Sequence, residues 1–240
     1  MKLIILASGR GSRLKSLTKY KPKSFIEING KRIIDRILDN SKYFNETIIV
    51  AGYKSKLIKK YYNKHKIINN QEFSKSNMVH SMFKVSKYVN SDVVISYADI
   101  IYDFKIIEKL VKIRNTCLPL NAHWKKNWEK RMSKKKIYLD AENVVLKGKK
   151  VIEIGTDIKK LLPKYQFMGI IKISKKDFFE MEKFYKLLKN TSIDLTTFLN
   201  EFIKYRKLGL NYKIFKNFWF EIDNQKDLLV AKSSKVLRYY

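Results

Sequence analysis

The sequence predicts an α/β protein with a doubly wound, mostly parallel sheet flanked by helices. Three observations support this. Short apolar runs alternate with amphipathic segments through about residue 115, which is typical of alternating strands and helices in this fold class. The connections between these segments are short. Hydrophobic residues make up 45% of the 240 residues, which is enough apolar material for a core and excludes a disordered chain.

In the first half of the chain, apolar runs predict buried strands, and segments with helical spacing of apolar residues predict helices. The strands are predicted at residues 3–6, 47–50, 66–68 and 92–97. The helices are predicted at residues 31–40, 55–62, 77–89 and 106–113.

The second half predicts a β-hairpin and a helical extension. The hairpin covers residues 143–154 around a Lys147-Gly148 turn. Further strands are predicted at residues 167–173 and 212–215, and helices at residues 175–189, 195–205 and 224–231, the last with Asn224 as its N-cap. No repeat or linker interrupts the chain, so we expect one domain over residues 1–240.

The charge is strongly basic, with 52 Lys and Arg against 22 Asp and Glu and a formal net charge of +30. Two explanations are open: a nucleic-acid-binding face, and lysine-rich composition without a target. We favour the second, because only eight of the basic residues are arginine and the lysines are spread along the whole chain. The single Cys117 excludes a disulfide framework, and no apolar run is long enough for a membrane span. We therefore expect a cytoplasmic protein.

A glycine-containing loop follows the first predicted strand. Residues 6–13 are Leu-Ala-Ser-Gly-Arg-Gly-Ser-Arg, and Lys23 lies ten residues beyond Arg13. Gly9 and Gly11 let backbone N–H groups approach phosphate oxygens without a Cβ clash. Arg13 can bind two phosphate oxygens at once, and Lys23 adds a compact positive charge. A bare pair of glycines could equally form a tight turn, and the segment matches neither the three-glycine dinucleotide motif nor the Gly-Lys-Ser/Thr phosphate loop.

The complete segment from Leu6 to Lys23 resembles the opening motif of the nucleotidyltransferase (NTP transferase) family, which joins an NTP to a sugar phosphate or a small phospho-alcohol. The resemblance implies a Rossmann-like sheet, a nucleotide-binding core over residues 1–115 and an acceptor-binding part over residues 116–240. It implies that Arg13 and Lys23 are catalytic. It assigns to the nucleotide Leu6, Ala7, Ser8, Gly9, Arg10, Gly11, Ser12, Arg13 and Lys23.

Two aspartates are candidate Mg²⁺ ligands. Ala98-Asp99 ends the fourth predicted strand, at the edge where a parallel sheet presents its ligand. Residues 221–227, Glu-Ile-Asp-Asn-Gln-Lys-Asp, resemble the C-terminal segment of the cytidylyltransferases that activate phosphocholine. The resemblance implies that Asp99 and Asp223 hold the metal and that Ala98 and Asp99 lie at the nucleotide. For each aspartate, helix capping is the alternative.

Residues 76–82 resemble an Asn-x-x-x-Ser segment of the phosphocholine and phosphonate cytidylyltransferases, which lies near the nucleotide or the acceptor, and we assign Asn77 and Ser81 to the nucleotide. The alternatives are that Asn77 is a plain N-cap and that Ser81 is a solvated helix residue.

Four segments, at residues 123–131, 140–145, 151–155 and 167–170, together resemble the 2-aminoethylphosphonate branch of the family. The chain departs from that branch at Thr156, where a lysine is expected, and at Gln166, where a glutamate is expected. The tryptophans could form an aromatic wall against a cationic acceptor, or Trp124 and Trp128 could be core residues. The candidate acceptor-binding residues are Trp124, Arg131, Glu142, Glu153, Trp219 and Glu221.

The resulting hypothesis is a Mg²⁺-dependent cytidylyltransferase that transfers CMP from CTP to phosphocholine, aminoethylphosphonate or a similar acceptor and releases pyrophosphate. We expect it to serve cell-surface polysaccharide or phosphonate biosynthesis, with no nucleic-acid partner; a homodimer is compatible with the sequence. One alternative is a sugar-1-phosphate nucleotidyltransferase that makes an NDP-sugar. Another is a basic nucleic-acid-binding module, for which residues 125–136 form the densest lysine run.

Overall fold

A computed structural model describes residues 1–158 and 161–238 of the chain. The strands β1 to β14 are, in chain order, Lys2–Ala7, Glu27–Ile28, Lys31–Arg32, Glu46–Ala51, Lys66–Asn69, Val93–Tyr97, Ile100–Tyr102, Cys117–Asn121, Asn143–Lys147, Lys150–Thr156, Gln166–Phe167, Ile170–Ile173, Leu210–Phe215 and Trp219–Glu221. The helices α1 to α10 are Ile33–Leu38, Ser55–Tyr61, Met78–Phe83, Phe104–Leu110, Trp124–Trp128, Lys134–Asp140, Lys175–Leu188, Leu195–Arg206, Gln225–Ser233 and Lys235–Arg238. Short 3-10 helices cover Ser12–Thr18, Lys23–Phe25, Asp39–Tyr43 and Ser86–Tyr88.

A mixed, mostly parallel central sheet runs through both halves of the chain. Its strand order is β5-β4-β1-β6-β12-β8-β13-β10-β9, and β11 pairs with β8 beside β12. Strands β5, β4, β1, β6, β8, β13 and β9 run in one direction, while β12, β10 and β11 run in the other. Because β12 pairs with β6, the second half of the sequence continues the sheet begun by the first. The predicted fold class is confirmed.

Both faces of the sheet are covered, which explains the continuous apolar runs in its strands. In β1, Leu3 and Ile5 belong to one buried cluster, and Ile4 and Leu6 belong to the other. Each cluster is formed with the helices of its own face. In the part of the chain that the structure describes, no helix is long and apolar enough to cross a membrane.

The main differences from the predicted elements lie around β8. The sequence does not predict this strand, although it is buried at the centre of the sheet. It contains Pro119, which lacks the N–H that a ladder needs. On one side, β8 pairs through Cys117 with β12 and through Leu120 and Asn121 with β11, so the gap between those two strands falls opposite Pro119. The single strand predicted at residues 167–173 is therefore two strands.

One other predicted helix is shorter than expected, while the predicted hairpin and the predicted N-cap at Asn224 are present. The helix predicted at residues 77–89 ends as an α-helix at Phe83 and is followed by a 3-10 turn. The predicted hairpin forms as β9 and β10, and Asn224 caps α9 in a reciprocal capping box with Asp227. Strands β7 and β14, which the sequence does not predict, pair with each other outside the main sheet.

A buried guanidinium ties the end of α5 to the C-terminal segment. Arg131 Nη2 donates to Glu221 Oε2 at 2.9 Å, and Nη1 lies 3.0 Å from Asp227 Oδ1 as an ion pair. The side chain of Asp227 is completely buried, and its Oδ2 accepts from the backbone N–H groups of Asp223 and Asn224. Arg131 therefore neutralises one completely buried carboxylate, Asp227, and one partly buried carboxylate, Glu221.

We expect Arg131→Ala to lower the free energy of unfolding by about 3–5 kcal/mol, because it leaves the buried carboxylate of Asp227 without its cation. Denaturant unfolding followed by circular dichroism measures the change. The control is Arg114→Ala, which removes an exposed arginine and should change stability by less than about 0.5 kcal/mol. Equal effects of the two substitutions would show that the Arg131 ion pairs contribute nothing to stability.

Candidate active site

The carboxyl ends of β1 and β6 bring the glycine-containing loop and Asp99 together. The two strands are parallel neighbours, with Leu6 opposite Tyr97. The chain leaves β1 into the loop and leaves β6 into Ala98-Asp99. The site therefore lies at the edge where parallel sheets bind ligands.

Gly11 allows Lys23 to cross the loop at close range. The backbone of Gly11 is left-handed, with φ of +69°, and a Cβ there would lie 2.8 Å from Lys23 Cβ. A larger residue would therefore push Lys23 away and strain the backbone. Thr18 closes the loop by donating to the Gly11 carbonyl at 2.9 Å.

Lys23 links the two candidate metal ligands. Its Nζ donates to Asp99 Oδ2 at 2.7 Å and to Asp223 Oδ1 at 2.6 Å. Arg13 Nη2 lies 3.2 Å from the same oxygen of Asp223. Burial by itself would lower the pKa of Lys23, but the two carboxylates raise it above its ordinary value. Burial likewise acts to raise the pKa of Asp223, and Lys23 and Arg13 reverse the effect, so that this pKa is lowered.

Neither Asp99 nor Asp223 caps a helix. The N-cap of α4 is Asp103 and that of α9 is Asn224, so the capping alternative for both aspartates is wrong. Asp99 Oδ1 is buried without a hydrogen-bond partner in the described part of the chain, which leaves an oxygen suited to a hard cation such as Mg²⁺. Within residues 1–158 and 161–238, no third acidic, His or Cys side chain joins the pair to complete a metal site. Two carboxylates fit Mg²⁺, since phosphate oxygens and water usually complete its shell.

A cavity of about 140 Å³ lies beside the loop. Ser8, Gly9, Asn77, Ser81 and Asp99 are among its lining residues. An adjoining cavity of about 50 Å³ lies between the loop and Lys23. Its lining includes the remaining loop-side candidates Leu6, Ala7 and Ala98.

Four of the predicted nucleotide-binding residues differ in their contacts and exposure. Ser81 donates to Ser8 Oγ at 3.2 Å and accepts from Asn70 Nδ2 at 3.0 Å, so it is a buried part of the loop support. Asn77 caps α3 by accepting from the Met78 N–H, as its alternative predicts. Arg10 and Ser12 are exposed, and the Arg10 guanidinium lies over the ring of Tyr53.

A third cavity, of about 220 Å³, adjoins the 140 Å³ cavity beside the loop, and Met78 and Tyr97 line both. Carboxylates are concentrated on its walls: Asp140, Glu142, Asp194, Glu221 and Asp223 all line it. We call it the acidic cavity. Together with Arg13, Asp223 connects this cavity to Lys23 and Asp99.

The predicted acceptor-binding residues divide into two groups. Trp219, Glu142 and Glu221 line the acidic cavity. Trp124 and Arg131 are buried behind its wall, and Glu153 accepts from Asn143 and Thr156 away from it. The core alternative describes Trp124 well, since it packs edge to face against Trp128 at 5.1 Å between ring centroids.

Burial raises the pKa of two carboxyl groups in the acidic cavity. For Glu221, the nearby Asp223 raises the pKa further, and Arg131 opposes the shift. For Glu142, the hydrogen bond from Thr196 opposes the shift, while Asp194 and Asp140 add to it. The cavity is thus a place where negative charge is costly and a cation would relieve the cost.

The sequence does not identify Asp194 and Thr196 as site residues. Asp194 is the N-cap of α8, and its carboxylate accepts from the Thr197 N–H at 2.9 Å. Thr196 lies between Asp194 and Glu142. A capping aspartate before a helix is visible in the sequence, but nothing there shows that this helix begins at the cavity.

Comparison with known proteins gives consistent matches. Residues 3–125 match the MobA-like NTP transferase domain. The chain is 32% identical to the CTP:phosphoglutamine cytidylyltransferase of Campylobacter jejuni, over 96% of this chain and 98% of that one. It is 27% identical to the UTP–glucose-1-phosphate uridylyltransferase of Haloferax volcanii, over 43% of this chain and 45% of that one. Its fold is similar to that of the CTP:phosphocholine cytidylyltransferase of Streptococcus pneumoniae, with a TM-score of 0.77, 19% identity and coverage of 98% of both chains.

The family match spans the segment that contains the loop, Lys23 and Asp99, and the similarity to the Campylobacter relative extends over nearly the whole chain. The chain belongs to the MobA-like NTP transferase family and is a nucleotidyltransferase.

Proposed function

We propose that this enzyme transfers CMP from CTP to a small phosphorylated or phosphonate acceptor and releases pyrophosphate. The observation that carries the proposal is that Lys23 bridges Asp99, which lines the cavity beside the loop, and Asp223, which lines the adjoining acidic cavity. Such an arrangement can hold two phosphate-bearing substrates with their reacting groups at the same cations. The choice of CTP rests on the cytidylyltransferase from Campylobacter, which matches over the full length.

In this proposal the two halves of the sequence bind different substrates. Residues 1–115 bind the nucleotide through the loop, Asn77, Ser81 and Asp99. Residues 116–240 supply the acidic cavity for the acceptor and the second aspartate, Asp223. The shared sheet and the pairing of β7 with β14 hold the halves in register.

The proposed chemistry is an in-line displacement at the α-phosphorus. An anionic oxygen of the acceptor forms a bond to this phosphorus, while the bond to the bridging oxygen of pyrophosphate breaks and pyrophosphate leaves with the electron pair. The acceptor oxygen carries no proton at neutral pH, so no general base is needed. Lys23 and Arg13 would orient the phosphates and neutralise charge in the transition state.

Asp99 and Asp223 are the residues that would hold Mg²⁺, whose chemistry there is to neutralise charge on the phosphates. Two observations support this assignment. Asp99 Oδ1 has no hydrogen-bond partner in the described chain, and both carboxylates already bind one cation, Lys23. Lys23 already binds Asp99 Oδ2 and Asp223 Oδ1, so it would share these two carboxylates with a bound metal ion, and phosphate would offer Lys23 another anion.

A sugar 1-phosphate acceptor is the second candidate, and the similarity to the Haloferax uridylyltransferase favours it. That similarity covers 43% of the chain, whereas the similarity to the Campylobacter enzyme covers 96%. The carboxylate-rich lining of the acidic cavity also suits a cationic acceptor better than a neutral sugar.

Pyrophosphate release should distinguish these candidates. With Mg²⁺, we expect CTP to support release with phosphorylated or phosphonate amines, and UTP, ATP and GTP to support at least about tenfold less, the scale of a single lost specific hydrogen bond. Hexose 1-phosphates should give only background release. Faster release from UTP with glucose 1-phosphate would replace the proposed function by the second candidate.

Lys23→Ala and Asp99→Asn should each lower kcat by at least about 10²-fold, the effect of losing one preorganised charge-stabilising group. Steady-state pyrophosphate release measures it. Lys59→Ala, at an exposed lysine of α2, is the matched control and should retain normal turnover. If Lys23→Ala turned over as fast as Lys59→Ala, Lys23 would not be catalytic.

Chelation of divalent metal should lower pyrophosphate release by at least about 10²-fold, since metal charge stabilisation is worth several kcal/mol. Added Mg²⁺ should restore the rate. The Asp223→Asn variant should need more Mg²⁺ for half-maximal activity, because the metal ion would lose one of its two carboxylate ligands. Activity that survives exhaustive chelation would contradict the assignment of a metal.

A further inference from the structure

The acidic cavity contains carboxylates of two kinds. Glu221 and Asp223 are paired with Arg131, Lys23 and Arg13. Within residues 1–158 and 161–238, Glu142, Asp194 and Asp140 have no salt bridge. In a chain with a net charge of +30, these three carboxylates leave negative charge at the cavity wall that a cationic ligand would neutralise.

The hydrogen bonds around Thr196 lead to the same conclusion. Thr196 Oγ1 lies 2.8 Å from Glu142 Oε1 and 2.9 Å from Asp194 Oδ1. A hydroxyl has one proton and can donate to only one of these oxygens at a time. Asp194 also accepts from the N–H and the hydroxyl of Thr197, whereas Thr196 is the one donor to Glu142 among the described residues. When Thr196 donates to Asp194, Glu142 therefore lacks a donor, and a ligand with N–H groups would supply one.

Two neutral side chains of the same cavity are also unsatisfied. Gln166 is 4% exposed and Trp219 is 2% exposed, and both line the cavity. Among the described residues, neither Gln166 Oε1 nor Trp219 Nε1 has a hydrogen-bond partner. Leaving such groups unpaired costs free energy, so their presence indicates a ligand that offers both an N–H donor and an oxygen acceptor.

Trp124 and Trp128 are poorly placed to bind a cation that lacks N–H groups, although Tyr97, Phe167 and Trp219 also line the cavity. The Trp128 ring already has the Arg131 guanidinium over it at 4.7 Å, and Trp124 packs against Trp128 from the core. A quaternary ammonium is held mainly by open aromatic faces. A protonated amine, in contrast, can use carboxylate and amide oxygens as hydrogen-bond acceptors.

We propose that the acidic cavity binds an acceptor that carries an N–H-bearing ammonium group, and that Glu142 is the carboxylate that pairs with it. The acceptor would then be a phosphorylated or phosphonate amine with free N–H groups, and not a quaternary ammonium or a neutral alcohol phosphate. Trp219 Nε1 would donate to an oxygen of the same molecule. This inference rests on the proposed nucleotidyl transfer and specifies its acceptor. A metal ion is the weaker occupant, because no three such ligands converge in the described chain.

The test compares three acceptors that differ only at nitrogen: phosphoethanolamine, its N-trimethyl form phosphocholine, and its N-acetyl form. Pyrophosphate release gives kcat/KM, and calorimetry gives binding. We expect phosphoethanolamine to exceed both others by at least about tenfold, the scale set by losing hydrogen bonds to a charged group. Equal or better use of phosphocholine or the N-acetyl form, or no binding of any of the three, would overturn the proposal.

Variants then locate the contact. Glu142→Gln should lower kcat/KM for phosphoethanolamine at least about tenfold and leave the KM for the nucleotide within about twofold. The ratio of kcat/KM for phosphoethanolamine to kcat/KM for phosphocholine should therefore become smaller. Glu201→Gln is the matched control, because Glu201 is an exposed residue of α8 paired with Lys204. A Glu142→Gln variant that slows all three acceptors equally would show a merely structural role for Glu142.

The three acceptors are compared with whichever NTP supports pyrophosphate release. The proposed cytidylyl transfer and the proposed ammonium specificity can therefore fail separately. If a nucleotide other than CTP is used and the ammonium preference holds, the proposed function is wrong in its nucleotide and the inference stands. If CTP is used and the preference is absent, the inference is wrong and the cytidylyl transfer stands.

Discussion

The ion pairs of Lys23 with Asp99 and Asp223 are the contacts on which the site depends. Asp99 and Asp223 come from distant parts of the sequence, and two carboxylates repel each other unless a cation lies between them. Lys23 is that cation, at 2.7 Å and 2.6 Å. Backbone pairing supports the arrangement, since β14 lies beside β7 and the Ile222 N–H donates to the Asp99 carbonyl. The C-terminal segment therefore completes a site that β1 and β6 begin.

The electrostatics of the molecule change sign between its surface and its acidic cavity. The surface is lysine-rich and will attract anionic substrates such as a nucleoside triphosphate. The acidic cavity, lined by Glu142 and Asp194 among others, presents negative charge to the far end of an acceptor. A molecule with a phosphate at one end and an ammonium at the other fits this gradient in one orientation, with its phosphate toward Lys23 and Arg13.

Local patterns and the family resemblance singled out the loop, Lys23 and Asp99, and the structure places them close together. Chain direction explains why the loop and Asp99 share one sheet edge, whereas the roles of these residues were implied by the resemblance. Strand β8 is hidden by Pro119, which is tolerated because the gap between β11 and β12 lies opposite it. Asp194 looks like an ordinary helix cap, and only the tertiary structure shows that its helix begins at the acidic cavity.

The two departures from the family pattern are easier to understand in three dimensions. A threonine in place of lysine removes one positive charge, and a glutamine in place of glutamate removes one negative charge, so the two changes cancel. Thr156 donates to Glu153 at 2.6 Å, which satisfies that carboxylate outside the acidic cavity. Gln166 is buried on the cavity wall, where burial and neighbouring carboxylates already raise the pKa of Glu142 and Glu221, and a further carboxylate would add to this repulsion. A neutral amide keeps a hydrogen-bond acceptor at this wall without that added charge, which is compatible with the proposed binding of an N–H donor.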